Sequence, residues 1–212
     1  MIRLTLPRFI LQVALVVLFV GPGEAAQTRA VAPAMIETLL ASPLVTPPAG
    51  DAHGDVTLVE YFDYNCPICR ALEPQLERLL ATDRKVRLVR KDWPIFGDVS
   101  RYAAYCSFAA SGEGKYRVAH HALIASSRSL DSKEDVLSVL QAAGLDIAKL
   151  ESDVASHEKE YAQTLARNRH EAQALGLRGT PGIIVGDQLV LDGVDYHQLQ
   201  LLVARVRQQT GR

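Results

Sequence analysis

Cys66-Pro67-Ile68-Cys69 follows the apolar run Thr57-Leu58-Val59-Glu60-Tyr61-Phe62 and opens Arg70-Ala71-Leu72-Glu73-Pro74-Gln75-Leu76-Glu77-Arg78-Leu79-Leu80, a stretch with helical spacing. A strand that delivers two cysteines three residues apart to a helix N-terminus suits thiol–disulfide exchange. The helix end supplies unpaired N–H groups and positive potential, and both favour a thiolate. Cys66, before the first turn, is the expected exposed nucleophile. Pro67 suits the first helical position because it has no N–H to leave unpaired. Cysteines so placed ionise at about 3.5 to 7.5 against about 8.5 for a free thiol. Cys69, one turn further in, is the expected buried resolving thiol. The competing reading is a structural C-x-x-C or half a zinc site, but no second C-x-x-C or H-x-x-x-H completes a tetrahedral set.

The elements that must position this pair follow from pattern. The sequence predicts a strand over Val56–Asp63, a helix over Cys66–Ala81 and a strand over Val86–Asp92. A long block without strand character comes next, with helical stretches Arg101–Ser111, Lys115–Ser126, Lys133–Ala143 and Ile147–Leu175, the last with a break. Gly182–Val185 and Gln188–Leu191 flank Gly186-Asp187, a hairpin turn signal, and Tyr196–Gln209 closes the chain as a helix. The expected fold class is α/β, with a helical insertion (98–176) between an N-terminal βαβ part and a C-terminal ββα part.

Glu60-Tyr61-Phe62-Asp63-Tyr64-Asn65-Cys66-Pro67-Ile68-Cys69-Arg70, Lys91-Asp92-Trp93-Pro94-Ile95-Phe96-Gly97 and Gly179-Thr180-Pro181-Gly182 before Ile183-Ile184-Val185 together resemble the DsbA-like, thioredoxin-fold family of bacterial periplasmic thiol:disulfide oxidoreductases. The resemblance covers roughly 55–212 and is nearer to short, ScsC-like members than to DsbA itself. It implies a redox-active Cys66–Cys69 disulfide. It also makes Glu60 the buried acid beneath the resolving cysteine, desolvated among Val59, Tyr61 and Phe62 and placed to accept the Cys69 proton. The alternative for Glu60 is a solvated strand face. Thr180-Pro181 resembles the family's cis-proline loop, which presents Thr180 backbone groups to an extended substrate. Pro67 and Ile68 are the positions that tune the site, and Ile68, standing where the family's strongest oxidants carry histidine, implies a weaker oxidant. Implied partners are cysteine-containing exported proteins and a membrane or periplasmic redox partner. Net oxidase activity is favoured over isomerase or reductase, although threonine before the proline occurs in members with the latter roles. A different class competes: a periplasmic copper-binding or metal-stress protein using the same thiol pair, since two thiols suit Cu(I) and ScsC-like relatives are linked to copper tolerance.

The N-terminus patterns as a signal peptide, 1–25, with Arg3 and Arg8, an apolar core from Phe9 to Val20 and a small-residue exit; an uncleaved anchor is the alternative. Export to the periplasm follows. The chain of 212 residues has formal net charge −1, which argues against nucleic acid as a partner. Its three cysteines suit one functional pair and one spare, so no cofactor and no metal site is expected. Residues 26–54 read as a short helix, Met35–Leu40, and a proline-rich linker. The helix either packs on the domain or makes 31–44 a homo-oligomerisation arm. Cys106 reads as a buried helix cysteine. His120 and His121 point about 100° apart on a helix, one packed and one solvated, and Trp93 reads as core.

Overall fold

The computed structural model describes residues 26–41 and 46–211; the signal-peptide assignment lies outside them. The domain is built around β3 (Val56–Phe62), whose apolar run is buried on both faces, as a strand covered by helices on either side must be. It leads into α2 (Pro67–Thr82), which returns to β4 (Val86–Asp92), parallel to β3. The insertion is all helical: α3 (Asp98–Gly112), α4 (Tyr116–Ile124), α5 (Lys133–Ala142) and α6 (Ile147–Ala174). Then β5 (Gly182–Val185) pairs antiparallel with β3, β6 (Gln188–Val190) follows through a tight turn, and α7 (Tyr196–Thr210) closes the chain. This is the α/β arrangement expected, with βαβ and ββα halves on either side of the helices. Gly186 takes a φ of +60° in the hairpin turn, and a Cβ there would lie 2.7 Å from Val206 Cγ1, so both backbone and packing require glycine.

Two expectations are corrected. The break within the last insertion helix is absent, and α6 runs 28 residues from an Asp146 cap that accepts from Lys149 N–H; no glycine or proline interrupts 147–174. The segment read as helix and linker also contributes two edge strands. β1 (Thr28–Ala30) pairs with β6, and β2 (Ala49–Gly50) pairs with β4, completing the order β1-β6-β5-β3-β4-β2. Strands of two and three residues are too short to leave a periodic signal. Of the two readings offered for the apolar stretch Met35–Leu40, packing on the domain is present: α1 (Pro33–Ala41) has Leu39 fully buried and Met35, Ile36 and Leu40 packed on the same sheet face, while residues 42–44 of the candidate arm lie outside the described residues. The apolar side of α1 is therefore covered by its own domain.

Three apolar clusters surround the sheet. Leu58 and Leu88 face α2 and α7, Val59 and Tyr61 face α1 and the end of α6, and Phe62 packs against the insertion in the cluster that also holds Cys66 and Cys69. Trp93 is in the second of these layers with α1, as core. No described helix is long and apolar enough to cross a membrane.

Candidate active site

Cys66 is the N-cap of α2 and Pro67 its first residue. The Cys66 sulfur accepts from Cys69 N–H (3.4 Å), and its thiol donates to the Thr180 carbonyl (3.2 Å). Thr180-Pro181 is a cis peptide. Cys66 is buried, at 2% exposure, rather than open as expected. The Thr180 carbonyl reaches its sulfur, and the outward position belongs to Ile68, 62% exposed. Cys69 is fully buried, and Cys66, Cys69 and Cys106 are free of disulfide bonds.

The two thiols are driven apart in acidity. Cys66 falls from an ordinary 9.0 to about 6, first through its hydrogen bond with the Cys69 thiol, against the opposing effect of burial. Thr180 and the backbone N–H groups of Cys69 and Ile68 add to the fall. Cys69 rises far above its usual range, through the same thiol–thiol hydrogen bond, burial and the nearby Glu60 charge. One sulfur is thus a thiolate near neutral pH and the other holds its proton.

Glu60 is buried as expected, but among different neighbours. Val59 and Tyr61 point to the opposite face of the sheet, because side chains alternate along a strand. Glu60 instead lies beside Arg90, its register partner on β4. Arg90 Nε stops 3.7 Å from Glu60 Oε2, while Arg90 Nη2 donates to Glu73 (2.8 Å) and Glu77 (3.0 Å) on α2. Burial raises the Glu60 carboxyl from 4.5 to about 8; Arg90 opposes the rise, and Glu73, Cys66 and Glu77 add to it. Burial also works against the Glu73 carboxylate, but hydrogen bonds from His120 and Arg90 more than offset this and hold it below the usual range. His120 lies 3.3 Å from Glu73 through Nε2 and 3.1 Å from the Tyr64 hydroxyl through Nδ1. Burial, then Arg90, lowers this imidazole to about 4, so it is neutral. A neutral ring that donates to the carboxylate through Nε2 accepts from Tyr64 through Nδ1. Asp92, the register partner of Phe62, is buried with neither carboxyl oxygen hydrogen-bonded, and burial holds it well above the carboxylate range.

Two side chains fix the backbone approaching the cysteines. Asp63 accepts from Asn65 N–H (2.7 Å) through one oxygen and from Ile95 (2.6 Å) and Phe96 (2.9 Å) N–H through the other. Arg70 donates to the Tyr64 carbonyl (2.6 Å) and the Ser126 carbonyl (2.7 Å), tying the loop before the helix to the insertion. Beside the pair runs a groove of about 580 Å³ whose walls include Ile68, Thr180, Pro181 and Leu191, with Arg29 and Arg178 on its rim.

The structure therefore brings Cys66, Pro67, Ile68, Cys69, Glu60, Thr180 and Pro181 into one region. Arg90, Glu73, Glu77, Tyr64 and Asp92 were not anticipated there. One signal for two of them stands in the sequence: Cys69, Glu73 and Glu77 are spaced by four and line one side of a helix. His120 packs and His121 is exposed, as expected of the adjacent pair. Cys106 is fully buried, and burial pushes its thiol up to about 12. Among the described residues no group of three or more His, Cys, Asp or Glu side chains gathers as a metal centre.

The family model of the DSBA-like thioredoxin domain matches residues 57–204. A thioredoxin-like oxidoreductase from Silicibacter pomeroyi is 40% identical, with a TM-score of 0.73 over 77% of this chain and 93% of that one. The thiol-disulfide exchange protein alpha-DsbA2 from Wolbachia pipientis is 26% identical, with a TM-score of 0.73 over 82% of this chain and 94% of that one. Proteus mirabilis ScsC, in a transitional conformation, is 25% identical, with a TM-score of 0.72 over 83% and 78%. A curated relative, the Na(+)/H(+) antiporter NhaA 3 of Salinispora tropica, is 30% identical over 64% of this chain, which spans only 21% of that protein's length.

Proposed function

The chain belongs to the DSBA-like thioredoxin domain family, and from that premise we propose that it is an exported thiol:disulfide oxidoreductase exchanging disulfides with protein cysteines through Cys66 and Cys69. The observation that carries this reading is the placement of the pair: Cys66 caps α2, its sulfur accepts from Cys69 N–H and meets the carbonyl of the cis Thr180-Pro181 loop, and Cys69 is fully buried one turn further in, an arrangement that lowers the Cys66 thiol and raises that of Cys69. Such a pair keeps one sulfur as the reactive thiolate while the other stays protonated until it is needed.

In the oxidised form a substrate thiolate attacks Cys66 Sγ, the Cys66–Cys69 bond breaks, and Cys69 leaves with the electron pair and takes a proton. Glu60, protonated at neutral pH, supplies that proton. A second substrate thiolate then attacks the substrate sulfur of the mixed disulfide, releasing the Cys66 thiolate and an oxidised substrate. In the reverse direction Cys69 gives its proton to the Glu60 carboxylate as it attacks Cys66 and expels the substrate thiolate. Net oxidation requires a membrane or periplasmic disulfide donor to take the two electrons. Ile68 offers no charge or polar hydrogen to the thiolate, which favours a weaker oxidant than a histidine-bearing site. The signal-like pattern of residues 1–25 supports a periplasmic location, where substrates would be exported proteins with cysteines.

The test is oxidation of a reduced, unfolded cysteine protein by the purified disulfide form, with thiols counted before and after. The wild type should transfer one disulfide per molecule and Cys66→Ser none. Equal transfer by Cys66→Ser would refute the reading.

A further inference from the structure

A donor and an acceptor, both buried and both without a hydrogen-bond partner, stop just short of each other beneath the redox pair. They are Arg90 Nε and Glu60 Oε2, 3.7 Å apart. A closed bond between such groups lies at about 2.7–2.9 Å. What holds them apart is visible on the far side of the same guanidinium, where one nitrogen, Nη2, bonds to Glu73 at 2.8 Å and Glu77 at 3.0 Å. A planar group anchored at one end cannot slide toward Glu60 without lengthening those contacts. Glu73 has a second donor in His120 and is buried. Glu77 differs, with a side chain 49% exposed on the rim of a surface groove of about 390 Å³.

We propose that Glu77 is a positioning residue for the buried acid: from the surface it draws the Arg90 guanidinium toward α2, keeps it from closing on Glu60, and so sets the pH range over which Glu60 exchanges a proton with Cys69. This rests on Glu60 having that role, as proposed above. The groups that face Glu60 are Arg90 and Asp92 from β4, Glu73, Glu77 and Cys69 from α2, Cys66 at its cap, and Tyr116 from α4 with His120 behind Glu73. Its register partner on β5, Ile183, carries no charge. Removing Glu77 acts on Glu60 in one direction by two routes. It deletes a negative charge, and it releases Arg90, the one cation among the described residues that acts on Glu60. Both favour the ionised form of Glu60.

Glu77→Ala removes the charge and the acceptor, whereas Glu77→Gln removes the charge but keeps an acceptor for Arg90; the half-exposed helical site tolerates both. In reduced protein labelled with ¹³C at glutamate carboxyls, the Glu60 resonance, assigned by its loss in Glu60→Gln, should titrate near 8 in the wild type. Its midpoint should fall by about one unit in Glu77→Ala and by less in Glu77→Gln. In parallel, a small thiol is attached to Cys66 as a mixed disulfide and its release by Cys69 is timed against pH. That profile should move to lower pH with the carboxyl. At pH 7 release should accelerate by up to roughly fivefold, because the ionised share of Glu60 rises from about a tenth to about a half. In a Glu60→Gln background the acceleration should vanish. An unmoved or raised Glu60 midpoint in both variants overturns the proposal. A lowered midpoint with an unmoved release profile supports the hold of Glu77 on Arg90 and overturns the role of Glu60 instead.

Discussion

Replacing Glu60 with glutamine should stabilise the reduced protein, and by an amount that grows with pH. Folding holds the Glu60 proton up to about 8, against 4.5 for an ordinary glutamate. Below 4.5 the folded and unfolded chains are both protonated there, and the group costs the fold nothing through ionisation. Between 4.5 and 8 the unfolded chain ionises while the folded one does not, so stability falls as pH rises. At pH 7 the gap from 4.5 is about 2.5 units at roughly 1.36 kcal/mol each, a loss of about 3 kcal/mol. Glutamine has the same size and does not titrate, so its advantage over the wild type should widen by about that amount between pH 4.5 and 7 and level off near pH 8. The wild-type curve alone would mislead, because His120 has the opposite sign. Held neutral down to about 4 against an ordinary 6.5, it lends stability that is lost as pH falls across that interval. Subtracting the wild type from Glu60→Gln cancels it. Urea unfolding followed by fluorescence of Trp93, the single tryptophan, at pH 5, 6, 7 and 8 measures the difference. A constant difference, or one that shrinks as pH rises, would refute the reasoning.

Three further outcomes follow from the site. Ile68→His should make the couple more oxidising in glutathione equilibrium, by roughly 30 mV for each unit that the imidazolium lowers Cys66; a more negative potential would contradict this. Cys69→Ser should accumulate mixed disulfides with substrates, detectable by non-reducing electrophoresis, because the thiol beside Cys66 that would expel the partner is gone and Cys106 is fully buried in the thiol form. Asp63→Asn should cost about 1–3 kcal/mol in thermal or urea unfolding, since the carboxylate accepts three backbone N–H groups and an amide has only one acceptor oxygen for them.

What the sequence revealed and what it hid divide along local and non-local lines. Pro67 at a helix start, the apolar run of β3 and the Gly186-Asp187 turn are signals carried by neighbouring residues, and the elements they predict are present. The burial of Glu60 could be read from its place in that run. Its pairing with Arg90 could not, because the parallel register of β3 and β4 is set through an intervening helix rather than a turn. Cys66 is buried rather than open because the loop at Thr180, distant in sequence, reaches back to its sulfur. His120 joins the charge network through a helix of the insertion, whose docking depends on packing that no short window records.

The proposed chemistry requires Cys66, and not Cys69, to be the thiolate near neutral pH. Reduced protein is titrated from pH 4 to 10 while thiolate absorbance at 240 nm and the rate of Cys66 alkylation, read by peptide mass, are recorded together. Both should rise with a common midpoint near 6, and the absorbance step should be absent from Cys66→Ser. A midpoint at or above the 8.5 of a free thiol, or a step that survives in Cys66→Ser, would contradict the account.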